Sequence, residues 1–147
     1  MANNFVNGRD EIISIDPANG SSYKLVVCLT SNTLTESMTE LDATSKCGNQ
    51  FVQGYKFEGT ISGDGFVIDP DTGTPTNQGF PELYTLFTAR TMVTIKFGKA
   101  VPTTGEAMYT GSAFITKLDK VAGDDAIVKF NVTFRAANPP FAQTITY

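Results

Sequence analysis

Histidine and tryptophan do not occur in this chain, and cysteine occurs only twice, at Cys28 and Cys47. Without imidazole there is no Ser–His or Cys–His nucleophilic pair and no histidine-ligated metal. Two thiols cannot build a thiolate zinc site from one chain, nor do they make a disulfide framework. The expectation is two free thiols, with a bridge across the intervening residues as the minor alternative. Basic clusters are missing too. Eleven Lys and Arg stand against fifteen Asp and Glu, a net charge of −4, whereas tight binding to nucleic acid needs many phosphate-neutralising cations. No apolar run reaches the roughly 18 residues that mark a membrane span. The segment Met1-Ala2-Asn3-Asn4-Phe5 lacks the basic and apolar parts of a secretory signal, so folding in the cytosol is the expectation.

The short motifs that resemble chemistry read better as turns. Asp71-Thr72-Gly73 matches the aspartic-protease triplet, but Asp69-Pro70 and Thr74-Pro75 flank it like an exposed turn, not the apolar setting such a pair of carboxyls needs. Asp64, Asp69 and Asp71 could offer oxygen to calcium, yet their spacing fits no EF-hand loop. The glycines of residues 59–65 precede neither a helix nor a P-loop lysine. Asn131-Val132-Thr133 is a glycosylation sequon in the middle of a strand pattern. No catalytic, cofactor-binding or metal-binding residue is therefore expected, and the chain does not read as an enzyme.

What is present is period-2 alternation, the mark of half-buried strands. A chain of 147 residues suits one domain, here residues 1–147, and a domain of that size buries roughly 68–70% of its unfolded surface. Eleven Phe and five Tyr suit a β-rich core. Residues 11–16 and 23–29 read as a hairpin across the Asp-Pro and Asn-Gly turn chemistry of residues 16–21. In residues 51–61, Tyr55, Phe57 and Ile61 share one face and Lys56, Glu58 and Thr60 the other. Asp64-Gly65 reads as a tight turn before a short return strand at Phe66-Val67-Ile68, and residues 69–79 read as a surface loop. Further strands are expected at residues 92–97, 107–118 and 126–134, with a last strand or extended arm at 141–147. The one convincing helix covers residues 81–90: proline and glutamate open it, and Leu83, Leu86 and Phe87 form one apolar stripe. Seven or eight strands with one helix make a mainly-β fold, a β-sandwich or β-barrel with a single flanking α-helix.

The remaining segment, residues 30–49, is polar, Thr- and Ser-rich and free of proline. It reads as a long loop between two strands. Loops beyond about 12–15 residues usually carry function or are disordered, so this one is either a contact element or a disordered insertion.

Three segments together resemble the major tail protein, or tail tube protein, of long-tailed bacteriophages. One runs from Val26 to Ser37 and on through Glu40-Leu41-Asp42-Ala43-Thr44-Ser45-Lys46 and Gly48; the second is residues 57–65; the third joins residues 111–118, the Gly123-Asp124-Asp125 turn and residues 128–134. Cys28 and Cys47, at the ends of the first segment, depart from the family pattern. The resemblance implies a structural subunit that assembles with itself into hexameric rings. The rings stack into a hollow tube through which double-stranded DNA passes without specific binding. It implies a barrel or sandwich subunit with extended terminal arms, hairpin strands joined into one inner barrel, and a long loop that contacts neighbours. Tape-measure and tail-completion proteins would be partners, and the virion tail, assembled in the host cytoplasm, the location; no cofactor and no membrane are involved. The loop residues singled out for contacts between subunits are Thr33, Leu34, Thr35, Glu36, Ser37, Met38, Glu40, Leu41 and Asp42. The polar strand faces singled out for the bore are Lys56, Glu58, Thr60, Thr94 and Lys96. The alternatives are a monomeric β-sandwich binding module, or another ring-forming tail component such as a tail terminator. A sugar-binding module would favour a secretion route and exposed tryptophan.

Overall fold

Alternating apolar residues find a common interior in the computed structural model, which describes residues 11–17, 23–26, 29–67, 79–99, 105–124 and 126–145. The described strands are β1 (Ile12–Asp16), β2 (Lys24–Leu25), β3 (Leu29–Asp42), β4 (Phe51–Phe66), β5 (Val93–Gly98), β6 (Ala107–Val121), β7 (Lys129–Ala136) and β8 (Ala142–Ile145); α1 (Phe80–Thr88) lies between β4 and β5. They form one eight-stranded sheet in the order β2-β1-β5-β6-β7-β4-β3, with β8 paired to β6, and every pairing is antiparallel. Among the described residues the fold is mainly β with one helix, as expected.

The strands β1, β5, β6 and β7 each give one face to the core. Phe130, Val132, Phe134 and Ala136 of β7 are buried, as are Val93 and Ile95 of β5, Ala113 and Ile115 of β6, and Ile13 and Ile15 of β1. The sheet folds over so that β1 packs on β4. A methyl placed on Gly63 would lie 3.0 Å from Leu29 Cδ2 and 3.3 Å from Ile13 Cδ1. Asn32 Nδ2 also donates to the Glu11 carbonyl at 2.9 Å, tying β3 to the residue that precedes β1.

The helix closes the core with Leu83, which is fully buried, while Leu86 packs beside it and Phe87 is partly exposed. Glu82 accepts the Gly79 N–H at 2.9 Å, which satisfies one orphan donor of the first turn. At the other end Thr91 N–H bonds the Leu86 carbonyl and Arg90 N–H the Phe87 carbonyl, a Schellman ending. The left-handed position that this ending requires is held by Arg90, at φ 55, where glycine is usual.

Two expectations need correction. Residues 30–49 are not a long loop: β3 runs 14 residues, and it pairs with β4 from Leu29↔Gly65 to Asp42↔Phe51. Apolar alternation fails to mark this strand because its residues are mostly exposed, yet its threonines are good strand formers. Asp64-Gly65 is not a turn, and Phe66 does not return: β4 continues through it. Asp64 pairs with Ser31 on one side and Asn131 on the other, and this two-sided ladder outweighs the local turn preference. The β1–β2 hairpin forms as expected. Its turn, the cysteine at 28, the loop at residues 69–78, with Asp69 and Asp71, and the N-terminal arm fall outside the described residues.

Candidate functional site: a polar sheet face, two open edges and a projecting arm

Directly opposed residues of antiparallel strands point to the same side of a sheet. Reading the register across β3, β4, β7 and β6 therefore lays out one face in rows. Ser31, Asp64, Asn131 and Asp119 make one row; Thr33, Ser62, Thr133 and Lys117 the next; Thr35, Thr60, Arg135 and Phe114 the third. Ser37 and Glu58 extend it on the first two strands. The opposite face carries Ile61, Val132, Phe134 and Ile115 into the core.

The charges on this polar face are tied up locally. Glu58 Oε1 lies 3.4 Å from Lys56 Nζ and 3.4 Å from Arg135 Nη2. Lys117 Nζ lies 3.4 Å from Asp119 Oδ2, and Asn131 donates to the Asp64 carboxylate. Between them lie the hydroxyls of Thr33, Thr35, Thr60, Ser62 and Thr133.

Among the described residues both edges of this four-stranded layer are open. Among the described residues β3 pairs only with β4, so its outer edge has no backbone partner. On its β5 side, β6 is paired at residues 109–113, leaving residues 114–121 without a strand partner there among the described residues.

The arm is the part of the β3–β4 hairpin that outruns β7. The β4–β7 ladder stops at Thr60↔Arg135, whereas β3 and β4 continue pairing to Asp42↔Phe51. A break in register opposite Thr39 bends it, with Thr39 Oγ1 3.3 Å from Lys56 N–H. Gly54 is required there: a Cβ would sit 2.2 Å from Thr39 Oγ1 and 2.6 Å from its carbonyl oxygen. The tip is a tight turn in which Ser45 and Gly48 exchange backbone bonds of 3.0 and 3.1 Å. Asp42 accepts from the Thr44 N–H at 2.9 Å and from its hydroxyl, and these bonds hold the Asp42 carboxyl below its ordinary range. Cys47, at the tip, is a free, exposed thiol. Leu41, Phe51 and Val52 are 48%, 68% and 47% exposed.

At its root the arm is clamped to the C-terminal segment. Phe141 is buried between Gly111 and Gly59: a Cβ on Gly111 would fall 2.9 Å from its ring and one on Gly59 3.2 Å. Glu36 Oε1 accepts the Phe141 N–H at 2.9 Å. Sequence reasoning missed this clamp, although a glycine inside a strand can mark a close approach.

The structure divides the residues singled out from sequence. Lys56, Glu58 and Thr60 share the polar face, and Thr33, Thr35 and Ser37 join them there. Leu34, Glu36 and Met38 point to the other side, Leu34 onto the core and Glu36 onto Phe141. Glu40, Leu41 and Asp42 lie on the arm. Thr94 and Lys96 do not belong with Lys56. They lie on β5, outside the four-stranded layer, opposite the buried Asp16 and Ser14 of β1. Lys96 Nζ sits 5.1 Å from the Tyr23 ring centroid. Alternation identifies a polar face on each strand but not which strands form one layer. The missed members, Ser62, Asn131, Thr133 and Arg135, follow the same alternation. Among the described residues no three His, Cys, Asp or Glu side chains gather as metal ligands, and no helix is long and apolar enough to cross a membrane.

No protein-family model matches the sequence, and no curated protein does. Solved structures do match in fold. The tail of an empty gene transfer agent (GTA) particle, of C6 symmetry, superposes with a TM-score of 0.74 at 19% identity, covering 97% of this chain and 100% of that one. The SPP1 tail tube gives 0.74 at 14% identity, over 95% and 79%. The tube-terminating cap of the anti-feeding prophage gives 0.64 at 15% identity, over 99% and 95%. The chain has the tail-tube fold.

Proposed function

We propose that the chain is the structural subunit of a phage-type tail tube: six copies close a ring, rings stack, and double-stranded DNA passes along the bore. One observation carries the reading, the four-stranded β3-β4-β7-β6 layer with one hydroxyl-rich face and two open edges. Successive strands alternate in direction, so β3 and β6 run oppositely. The β3 of one copy therefore meets residues 114–121 of the next copy's β6 antiparallel, like every other neighbour in the layer. Pairing the two edges satisfies their backbone donors and acceptors and removes a template for uncontrolled aggregation. A head-to-tail contact of this kind makes a ring when its rotation closes.

The number six is supported by the C6 symmetry of the GTA tail that shares the fold. Six copies of four strands give a barrel of about 24 strands. At a spacing of about 4.8 Å and a tilt near 40°, its backbone is roughly 50 Å across, leaving about 35–40 Å inside the side chains. A duplex passes loosely. Lys56, Glu58 and Thr60 would line this bore with Thr33, Thr35, Ser37, Ser62, Thr133 and Arg135. Charges already paired along the wall release few counterions from DNA, so the wall does not grip its cargo. The arm, with Glu40, Leu41 and Asp42, would contact neighbouring copies. Tape-measure and tail-completion proteins would be further partners. The role is structural and not enzymatic, located in the virion tail after assembly in the host cytoplasm.

The similarity to a tube-terminating cap keeps a terminator as the second reading. Negative-stain microscopy and sedimentation of the purified chain over rising concentration separate the two. A tube subunit forms tubes that lengthen with concentration; a terminator stops at single rings. A chain that stays monomeric at millimolar concentration would rule out both and favour a binding module.

A further inference from the structure

We infer that the Phe141 side chain is a wedge: it holds the arm splayed away from β8 and keeps two open strand edges from zipping together. The register locates the fork. Tyr109 and Thr110 of β6 pair with Phe97 and Lys96 of β5 on one side, so their pairing with Gln143 and Ala142 puts β8 on the other side, the one that β7 occupies further along. β7 and β8 therefore follow one another along the same flank of β6. β4 runs beside β7 as far as Thr60↔Arg135, yet among the described residues it does not pair with β8. The arm leaves the sheet where β7 gives way to β8. The inner edge of residues 51–58 and the outer edge of β8 both lack a strand partner among the described residues. These two strands run antiparallel, so the strand order allows a ladder between them, and unpaired backbone groups in line favour one.

Phe141 stands at the apex of this fork. Its Cδ1–Cε1 edge meets Gly111, where a Cβ would lie 2.9 Å from Cδ1. Its opposite Cδ2–Cε2 edge meets Gly59, where a Cβ would lie 3.2 Å from Cε2. The ring thus reaches from β6 to β4 as a spacer one phenyl wide, and glycine at both positions makes room for it. Its own place is fixed from three directions. Pro139 and Pro140 stiffen the backbone before it, β8 pairs with β6 after it, and Glu36 of β3 accepts its N–H at 2.9 Å. One residue therefore touches both strands of the arm root and β6. Beyond the Glu36↔Gly59 pair the arm is a two-stranded ribbon, which has little stiffness of its own. From there to Asp42↔Phe51 it runs about 20 Å, so a swing of about 10° at the wedge moves its end by about 3–4 Å.

The wedge is tested on dilute subunits, independently of the tube reading. In a Cys28→Ser background, spin labels on Cys47, exposed at the arm tip, and on Thr144→Cys, exposed on β8, report the opening of the fork by double electron–electron resonance. Phe141→Ala should shorten the mean separation by about 3 Å or more as the arm closes onto β8. Phe141→Leu, still bulky, should keep most of the separation. Val132→Ala, a cavity on β7 away from the fork, should lower the melting temperature without moving the labels. An unchanged separation in Phe141→Ala, or the same shortening in Val132→Ala, would overturn the wedge and leave Phe141 as core filling. Where Phe141→Ala does not fold, Phe141→Val is held to the same criterion. One consequence rests on the tube reading: an arm that is already splayed needs no ordering at assembly, so Phe141→Ala should raise the concentration needed for tube growth by about tenfold or more. An unchanged threshold with a closed arm would overturn that consequence, and failure of the unmodified chain to form tubes would overturn the tube reading alone.

Discussion

Joining Ser37 to Glu58 through Asn-Gly removes residues 38–57, the whole arm, and should separate folding from assembly. The two anchor residues already face each other across the ladder, and Asn-Gly suits a two-residue hairpin. None of the removed residues whose burial is described belongs to the core. Shortening the connection from about 20 residues to 2 lowers closure entropy by about (3/2)RT ln 10, roughly 2 kcal/mol in favour of the truncated fold. Its melting temperature should therefore hold or rise by a few degrees. Assembly should respond in the opposite sense. Phe51 is 68% exposed; a phenylalanine offers about 150–250 Å², so covering it is worth about 2.5–4 kcal/mol at 25 cal/mol per Å². One such contact is nearly a hundredfold or more in an equilibrium constant, and a six-membered ring would make six. Differential scanning fluorimetry of dilute protein, alongside pelleting and microscopy of concentrated protein, reads both quantities. Tubes at the original threshold would refute the arm's role in assembly. A fall of more than about 5 °C in the truncated monomer would show that the arm supports the fold.

Gly111→Ala should destabilise by about 1–2 kcal/mol, because overpacking against Phe141 outweighs the gain from replacing a strand glycine; in a Phe141→Ala background the same change should become neutral or stabilising, and an equal cost in both backgrounds would contradict the clamp. Glu36→Leu should lose about 1–3 kcal/mol by leaving the Phe141 N–H without its acceptor, measurable by urea unfolding. Arg90→Gly should raise stability by about 0.5–1 kcal/mol, since the helix ending holds this residue in the left-handed region. For Asp42, Thr44→Ala removes the hydroxyl bond and should move the carboxyl part of the way back toward its ordinary range in an NMR titration, the Thr44 N–H still donating to it. The folded-state value is depressed, so whatever stability it lends is present above the ordinary carboxylate range and fades as pH falls through the depressed value.

Much of this architecture is legible in the amino-acid order, and the misses have physical causes. Val93 and Ile95 on β5, and Phe130, Val132 and Phe134 on β7, alternate because one side of each strand meets the core, so those strands can be read directly. The helix announces itself through Glu82, Leu83 and Leu86. The β3 strand is hidden because Thr33, Thr35 and Ser37 lie on a polar face and its far half leaves the body, so burial imprints no alternation on it. The bore-wall candidates divide for a related reason: Lys56 and Lys96 both alternate with apolar residues, but only the order of strands puts them in different layers. Phe141 follows two prolines in a polar stretch, and its partners Gly59 and Gly111 are distant in sequence. Only the folded chain brings the three together.

The central claim is that β3 of one copy and residues 114–121 of β6 of the next join six polar faces into one wall. Cryo-electron microscopy of assembled tubes with helical reconstruction tests it most directly. The account predicts a six-fold inner barrel of about 24 strands, with an antiparallel β3–β6 seam, the Thr33–Thr35–Thr60–Thr133 face toward a bore of about 35–40 Å, and α1 outside. Tubes in which those edges remain unpaired, or in which the Thr60 face points away from the lumen, would contradict it.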